Sequence, residues 1–278
     1  MLAAAGLMQH VQAAGGSVRI VYLTNGEGYP AGVRAEEHRH ANPTAADYRG
    51  YGRRRQHEAK AAAEVVGLEP GSLTFLGFPN NGLSRLMTGY WSDRRAAYRS
   101  PYTRLDRPPK SDILEPETEY RGEDLTQELA EIIGTFKPTI VVAPRRQDQH
   151  VDHCAAWYFT ADALGDVERV LPAYRPDLLT YIVHYNSWPF DDEEPRLQPP
   201  SGLSSGMSGW LTVPLTPDEV ATKWKALRKY RSQMDVMEWF LKGFVRSNEI
   251  FSRPRPPHVV LPVRRSYCDQ FIETALSP

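Results

Sequence analysis

Apolar positions recur at helical spacing at the start of the chain. Ala4, Leu7, Met8, Val11 and Ala14 share one face, and Gly15-Gly16 closes the run. No Ser, Thr, Asp or Asn precedes it as a cap, so the helix reads as one entered in mid-element. The next stretch, "SVRIVYLT" (17–24), is rich in β-branched residues and ends in the turn-like "NGEG", which predicts a strand. A charged helix follows over about 51–66 and stops at Gly67, and "SLTFLG" is the second strand, ending at "FPNNGL". A helix over about 123–136 leads into the apolar "PTIVVAP", a third strand. The polar run "RRQDQHVDHCAAW" then enters a helix that ends near Leu164, and "LLTYIVHY" (178–185) is a further strand. After a Pro/Gly/Ser loop over about 187–209 and "WLTVPL", residues 217–245 read as helical, with Lys223, Lys225 and Arg228 on the wet side.

Strands alternating with helices predict an α/β fold, a doubly wound and mostly parallel sheet with flanking helices. In such sheets, ligand sites gather beyond the carboxyl ends of the strands. The loops "TNGEG", "FPNNGL", "PRRQDQHVDH" and "HYNSW" each follow a predicted strand, so their polar residues are expected on one edge. Residues 1–278 read as one domain with a helical C-terminal part from about 217. The Arg-, Tyr- and Pro-rich segment 85–119 has no clear period and reads as a long insertion.

Composition narrows the function classes. Lys+Arg 33 against Asp+Glu 34 leaves a formal charge of -1, which offers no electrostatic footprint for nucleic acid. Apolar runs are too short to span a bilayer, and the first residues lack the basic and apolar regions of a secretory leader. Cys154 and Cys268 lie far apart with no paired spacing, so neither a disulfide nor a cysteine-based zinc site is expected; the sparse cysteines fit a reducing, cytoplasmic setting.

The densest chemistry lies at Asp148, His150, Asp152 and His153. Imidazole is the commonest metal ligand, and a neighbouring carboxylate can fix the ring's tautomer. The competing reading is a polar helix entry, with Asp152 as a cap and the histidines solvated. Arg145 and Arg146 sit on the same edge, where they can attract an anionic ligand, and His184 ends a predicted strand as a site-lining residue. His10, His38, His40, His57 and His258 have no ligand-like neighbours. "GLSSG" (202–206) matches G-x-S-x-G with Ser204 as nucleophile, but no strand leads into it, so a serine hydrolase is a remote alternative. No phosphate-cradling G-x-G-x-x-G or P-loop run stands at a strand-to-helix turn.

Five segments taken in order, "GSVRIVYLTNGEG", "RRRQHEAKAAAEVVGL", "LTFLGFPNNGL", "KPTIVVAPRRQDQHVDH" and "KWKALRKYRSQ…RSNEIF", resemble the PIG-L/LmbE-like family of zinc-dependent N-acetylglucosaminyl de-N-acetylases. "D-x-H-V-D-H" is similar to that family's H-P-D-H motif, with Val151 in place of proline. The resemblance implies a Rossmann-like sheet, bound Zn2+, and hydrolysis of the N-acetyl group of an amino-sugar conjugate. It implies that His153 is a zinc ligand, that His150 stabilises the oxyanion or protonates the leaving amine, and that Asp148 orients His150. Arg55 and Glu58 match an R-x-x-E pattern on the family's substrate side, and Asn80 stands where many relatives carry aspartate.

The family's other signature, H-P-D-D-E at the end of the first central strand, has no counterpart in this sequence, and "MLAAAGLMQH" resembles the helix that follows it. The expectation is therefore a sheet without its first central strand, lacking two zinc ligands and the general base. A catalytic zinc takes three protein ligands and keeps an open position. The chain as written is expected to be nearly inert; either the protein starts upstream of Met1 and is an active enzyme, or what survives is a non-catalytic sugar-binding or vestigial protein. Segment 85–119, with its tyrosines and arginines, is expected to cover the site.

Overall fold

The computed structural model describes residues 1–37, 42–112, 114–190, 194–204, 209–254 and 259–271. In chain order the elements are α1 (Ala5–Ala13), β1 (Ile20–Thr24), α2 (Pro30–Glu37), α3 (Ala45–Val65), β2 (Leu73–Phe78), α4 (Leu83–Leu86) and α5 (Gly122–Phe136). They continue as β3 (Ile140–Pro144), α6 (Val151–Val170), β4 (Asp177–Tyr181), β5 (Trp210–Pro214), α7 (Pro217–Leu227), α8 (Arg231–Lys242) and β6 (Asn248–Ser252).

The expected α/β class holds, but the sheet comes in two pieces. β1 pairs with β2 in parallel, Ile20 opposite Leu73. The second sheet has the order β3-β4-β6-β5, with β3 and β4 parallel and β6 antiparallel to both its neighbours. Among the described residues no strand stands between β1 and β3. A cavity of about 1320 Å³ is lined there by α1, β1 and β3. All five β1 residues are only half-buried, and Ile140 on β3 is 40% exposed.

The period-2 alternation of β1 and β2 explains why helices flank both faces. Ile20 and Leu73 pack with Ala5, Met8, Ala62 and Val66 of α1 and the α3 end. Val21, Leu23, Leu76 and Phe78 turn the other way, onto Leu125, Leu129 and Phe159 of α5 and α6. Gly77 takes φ 64 where the β1–β2 register shifts, and a side chain there would press on Pro109 and Asp112.

Local chemistry moved several boundaries. α3 starts at Ala45 because Thr44 and Asp47 form a reciprocal capping box. α6 runs on past Leu164 to Val170. The expected 217–245 helix is two helices: Ser232 N donates to Glu58 Oε1 at 2.9 Å, and the chain turns at Tyr230 before α8 begins. Lys223 is not on the wet side. It is 1% exposed and its Nζ lies 2.8 Å from Glu249 Oε1, while Lys225 and Arg228 are exposed. Glu249 also accepts from Gly6 N and Leu7 N at 2.9 Å each, so it caps an α1 that carries no capping side chain of its own.

The cysteine expectation is overturned. Cys154 on α6 and Cys268 form a disulfide that ties the last described segment to the core. Contact between two cysteines depends on the tertiary packing of α6, which spacing in the sequence does not report. Segment 85–119 is also unlike an open flap. Ser100, Thr103, Asp112 and Thr118 are buried, and Asp112 Oδ2 accepts from Asn25 and Gln56 at 2.8 Å. None of its described residues lines the cavity, and it braces the loop after β1 from outside. Among the described residues no helix is long and apolar enough to cross a membrane.

Lys223→Met leaves the Glu249 charge buried without its counter-ion, which typically costs about 3–5 kcal/mol. Urea unfolding at pH 7 should show that loss, whereas Lys225→Met on the exposed face should change stability by less than ~0.5 kcal/mol.

Candidate functional site

The loop after β3 and the start of α6 bring Asp148, His150, Asp152 and His153 to one end of the cavity, where the chain leaving β4 adds His184. Asp148 organises them. Its side chain is fully buried, and its Oδ1 accepts from His150 N and His153 Nδ1 at 3.1 Å each. Its Oδ2 accepts from Val183 N at 2.7 Å and His184 N at 3.2 Å. Gln149 adds a second tie between these loops, with its N donating to His184 O and its Oε1 accepting from Asn186 N, both at 2.8 Å.

These bonds assign protons. His150 caps α6, its Nδ1 accepting from Asp152 N at 3.2 Å, so the proton of the neutral ring sits on Nε2. His153 holds its Nδ1 proton against Asp148, which leaves the Nε2 lone pair outward. The three imidazoles form a triangle with ring centroids 4.6 Å (His150–His153), 5.5 Å (His150–His184) and 5.3 Å (His153–His184) apart. Asp148, His153 and His184 offer ligand atoms within 4.8 Å of one another. Both Asp148 oxygens already accept protein protons.

Charge follows from this packing. Burial alone would raise Asp148, but the charge and hydrogen bond of His153, with His184 and the Val183 amide, hold it at about 2. Burial lowers His150 well below the usual histidine value, with the like charges of His153 and His184 adding to it. It also lowers His184 to about 4. For His153 the same burial is outweighed by Asp148, and its pKa rises. At neutral pH His150 and His184 are therefore neutral rings, while Asp148 favours the protonated form of His153.

On the other side of the mouth, the remaining residues expected from the sequence are mostly bound up within the protein. Asn80 is buried; its N donates to Glu27 Oε1 at 3.0 Å, its Nδ2 to Asp152 Oδ2 at 2.6 Å, and its Oδ1 accepts from Gly28 N at 2.9 Å. Asp152 also accepts from Asn81 N and Leu83 N, which locks the loop after β2 to α6. Glu58 gives both oxygens to Ser232, far from any open surface, and does not line the cavity. Arg145 donates to Ser252 Oγ, Gln147 Oε1 and the Ser204 carbonyl and lies over Trp210. Arg55 does line the cavity, with Nη1 donating to Gly26 O at 2.7 Å. Ser204 is exposed, and no described strand leads into it; Ser205 and Gly206 of that motif, like His38, His40 and His258, lie outside the described residues.

Two features escaped sequence reading. An aromatic group, Phe190, Trp239 and Phe240, lines the mouth beside His184. Glu27, read only as part of a turn, is buried with Oε2 lacking any hydrogen-bond partner. The one signal for it was a charged residue inside the otherwise small-residue "TNGEGY" loop.

A family model described as PIG-L, GlcNAc-PI de-N-acetylase, matches residues 1–164, more than half of the chain. Among solved structures the fold is similar to the conserved protein TT1542 from Thermus thermophilus, with 20% identity over 93% of this chain and 91% of that one, TM-score 0.53. It is similar to the A40926 pseudoaglycone deacetylase Dbv21, with 15% identity over 91% of this chain and 90% of that one, TM-score 0.51. It is also similar to the N,N'-diacetylchitobiose deacetylase from Pyrococcus horikoshii, with 16% identity over 90% of this chain and 77% of that one, TM-score 0.51. At these identities the likeness is one of fold. No curated protein matches the sequence.

Burial, aided by the nearby Asp152 charge, raises Glu27 to about 7, against roughly 4.3 for an unfolded glutamate. A raised folded-state pKa adds stability below pH 4 and loses it as pH climbs through 7. Glu27→Gln stays neutral and keeps an acceptor for Asn80. It should match the parent at pH 4 and exceed it by roughly 1–3 kcal/mol at pH 8. Urea titrations at both pH values check this; an unchanged difference between them would rule out an ionising Glu27.

Proposed function

Since the chain belongs to the PIG-L family, the GlcNAc-PI de-N-acetylases, we propose that its histidine triangle is the metal-binding half of a site that removes the acetyl group from an N-acetylglucosamine-type sugar conjugate. The observation that carries this reading is the Asp148–His153 pair, with His184 beside it. It is a carboxylate-oriented imidazole whose free nitrogen faces the cavity, the arrangement by which proteins prepare a histidine for zinc. His153 and His184 would hold the ion. A bound zinc supplies Lewis acidity toward the acetamide oxygen and lowers the pKa of a water from about 15.7 to ~7.

The chain's own residues divide the remaining work. His150 keeps its proton on Nε2 and cannot ligate through that atom without losing it. It is placed to donate to the acetamide oxygen as negative charge develops there, or to the departing amine. Asp148 is a positioning residue, setting the His153 tautomer and the backbone around His184. Arg55, reaching the cavity from the β1–β2 side, is the residue of the R-x-x-E pair placed to meet substrate hydroxyls. Asn80 acts behind it through Glu27 and Asp152.

Two parts of a complete hydrolase are missing from this set. The carboxylates nearest the triangle, Asp148 and Asp152, are both occupied by protein donors, so neither is free to take a proton from water. Loss of a general base typically costs ~10²–10⁴ in rate, and two imidazoles fall short of the three ligands of a catalytic zinc. We therefore read the chain by itself as a weak zinc binder with little or no turnover that retains a sugar-binding cavity.

Zinc uptake by equilibrium dialysis, with acetate release from methyl N-acetylglucosaminide, tests this directly. We expect less than one tightly held zinc per chain, residual uptake abolished by His153→Ala, and acetate at background. One zinc per chain with sustained acetate release would overturn the inactivity. Uptake indifferent to both His153→Ala and His184→Ala would remove the site.

A further inference from the structure

Beside His184 the cavity wall carries a run of aromatic rings. His184 stacks on Phe240 with centroids 5.0 Å apart and planes 15° from parallel. Phe240 continues to Phe190 at 5.5 Å and to Trp239 at 5.9 Å, and Phe190 and Trp239 are themselves 4.9 Å apart. Trp239 is 61% exposed, an uncommon state for the largest apolar side chain. Two backbone features hold the wall. α8 leaves helical geometry at Met237 (φ -148, ψ 36), which re-aims the two residues that follow. Gly243 carries no side chain where one would run into the Phe190 ring. The charges that flank Trp239 and Phe240 on α8 are engaged: Glu238 and Lys242 pair with each other at 2.8 Å, and Lys242 lies over Trp224.

We propose that Phe190, Trp239 and Phe240 form a subsite for an apolar group, alkyl or aromatic, joined to the sugar whose acetamide reaches the histidines. The proposal rests on the de-N-acetylase reading for what lies at His153, and on ring contacts alone for what lies beyond it. A sugar placed against the triangle has His184 at its flank, and whatever it carries next meets Phe240 and then Trp239. A charged or strongly hydrated substituent would find no polar partner among Phe190, Trp239 and Phe240 and would lose water to them. An apolar one covers the exposed indole and gains the contact area that aromatic rings provide.

Calorimetric titration of the whole chain with the methyl, octyl and phenyl N-acetylglucosaminides, below any micellar concentration, is the test. Octyl glucoside, which lacks the acetamide, is the fourth ligand. We expect the octyl or the phenyl compound to bind at least tenfold more tightly than the methyl one, and whichever leads tells a chain from a ring. Trp239→Ala should erase most of that gain while leaving methyl binding unchanged, and Trp239→Phe should restore part of it. Trp239 is exposed, so its replacement leaves the core intact; Phe190→Ala gives a second reading from the inner ring. Equal affinity for all three N-acetyl compounds overturns the subsite but spares the deacetylase reading. An octyl gain indifferent to both substitutions also overturns it, placing the chain between β1 and β3 instead. Octyl glucoside binding as tightly as its N-acetyl counterpart, with the same loss in Trp239→Ala, supports the wall and counts against the deacetylase reading.

Discussion

Everything at the histidine triangle hangs on one buried carboxylate. Asp148 accepts four protein hydrogen bonds, two from histidines on its own loop and α6, two from the backbone leaving β4. Charge-assisted bonds of this kind are about twice as strong as neutral ones. Four on one group fix the spacing of His150, His153 and His184 before any ligand arrives. The same bonds set which nitrogen of His153 is free. The price is that Asp148 has no oxygen left for an ion or a proton.

A related constraint operates on the opposite lip of the cavity. Asn80 stands between Glu27 and Asp152, donating one bond to each. An aspartate at this position would face two buried carboxylates, both already raised by burial, to about 7 and about 6. An amide can donate to one and satisfy the other through its backbone. Asparagine here is thus an electrostatic solution for the loops after β1 and β2, independent of anything it does for a substrate.

The parts legible in the sequence were those governed by local pattern. Ile20, Val21 and Leu23 alternate as a strand must, and Asp148 to His153 sit where a polar run follows an apolar one. What was not legible depended on partners distant in the chain. Glu58 looked like a substrate residue until Ser232, on another helix, took both its oxygens. Arg145 looked like an anion trap until Ser252 and the Ser204 carbonyl took its donors. Lys223 sat in a charged stretch that read as solvated, and only β6, a strand hidden in "RSNEIF", shows why it is buried. The aromatic wall joins "SWPF" to "MEWF" across a long stretch of chain, and neither fragment alone has a ligand-like period.

The divided sheet bears on the site as much as the side chains do. Strand edges in a parallel α/β sheet normally find partners, because unpaired backbone groups are costly where water is scarce. β1 and β3 turn their free edges toward one cavity, and the two halves are held by other means. α1 spans them, capped by Glu249 of β6 at one end and held at the other by Gln12 Nε2 donating to Val66 O at 2.8 Å. At the site end the crossing is made by Asp152, bonded to Asn80, Asn81 and Leu83. The distance between the histidines and Arg55 is therefore set by helix packing and one carboxylate, not by a continuous ladder. A strand paired to both edges would narrow that freedom and bring its own carboxyl end to the triangle.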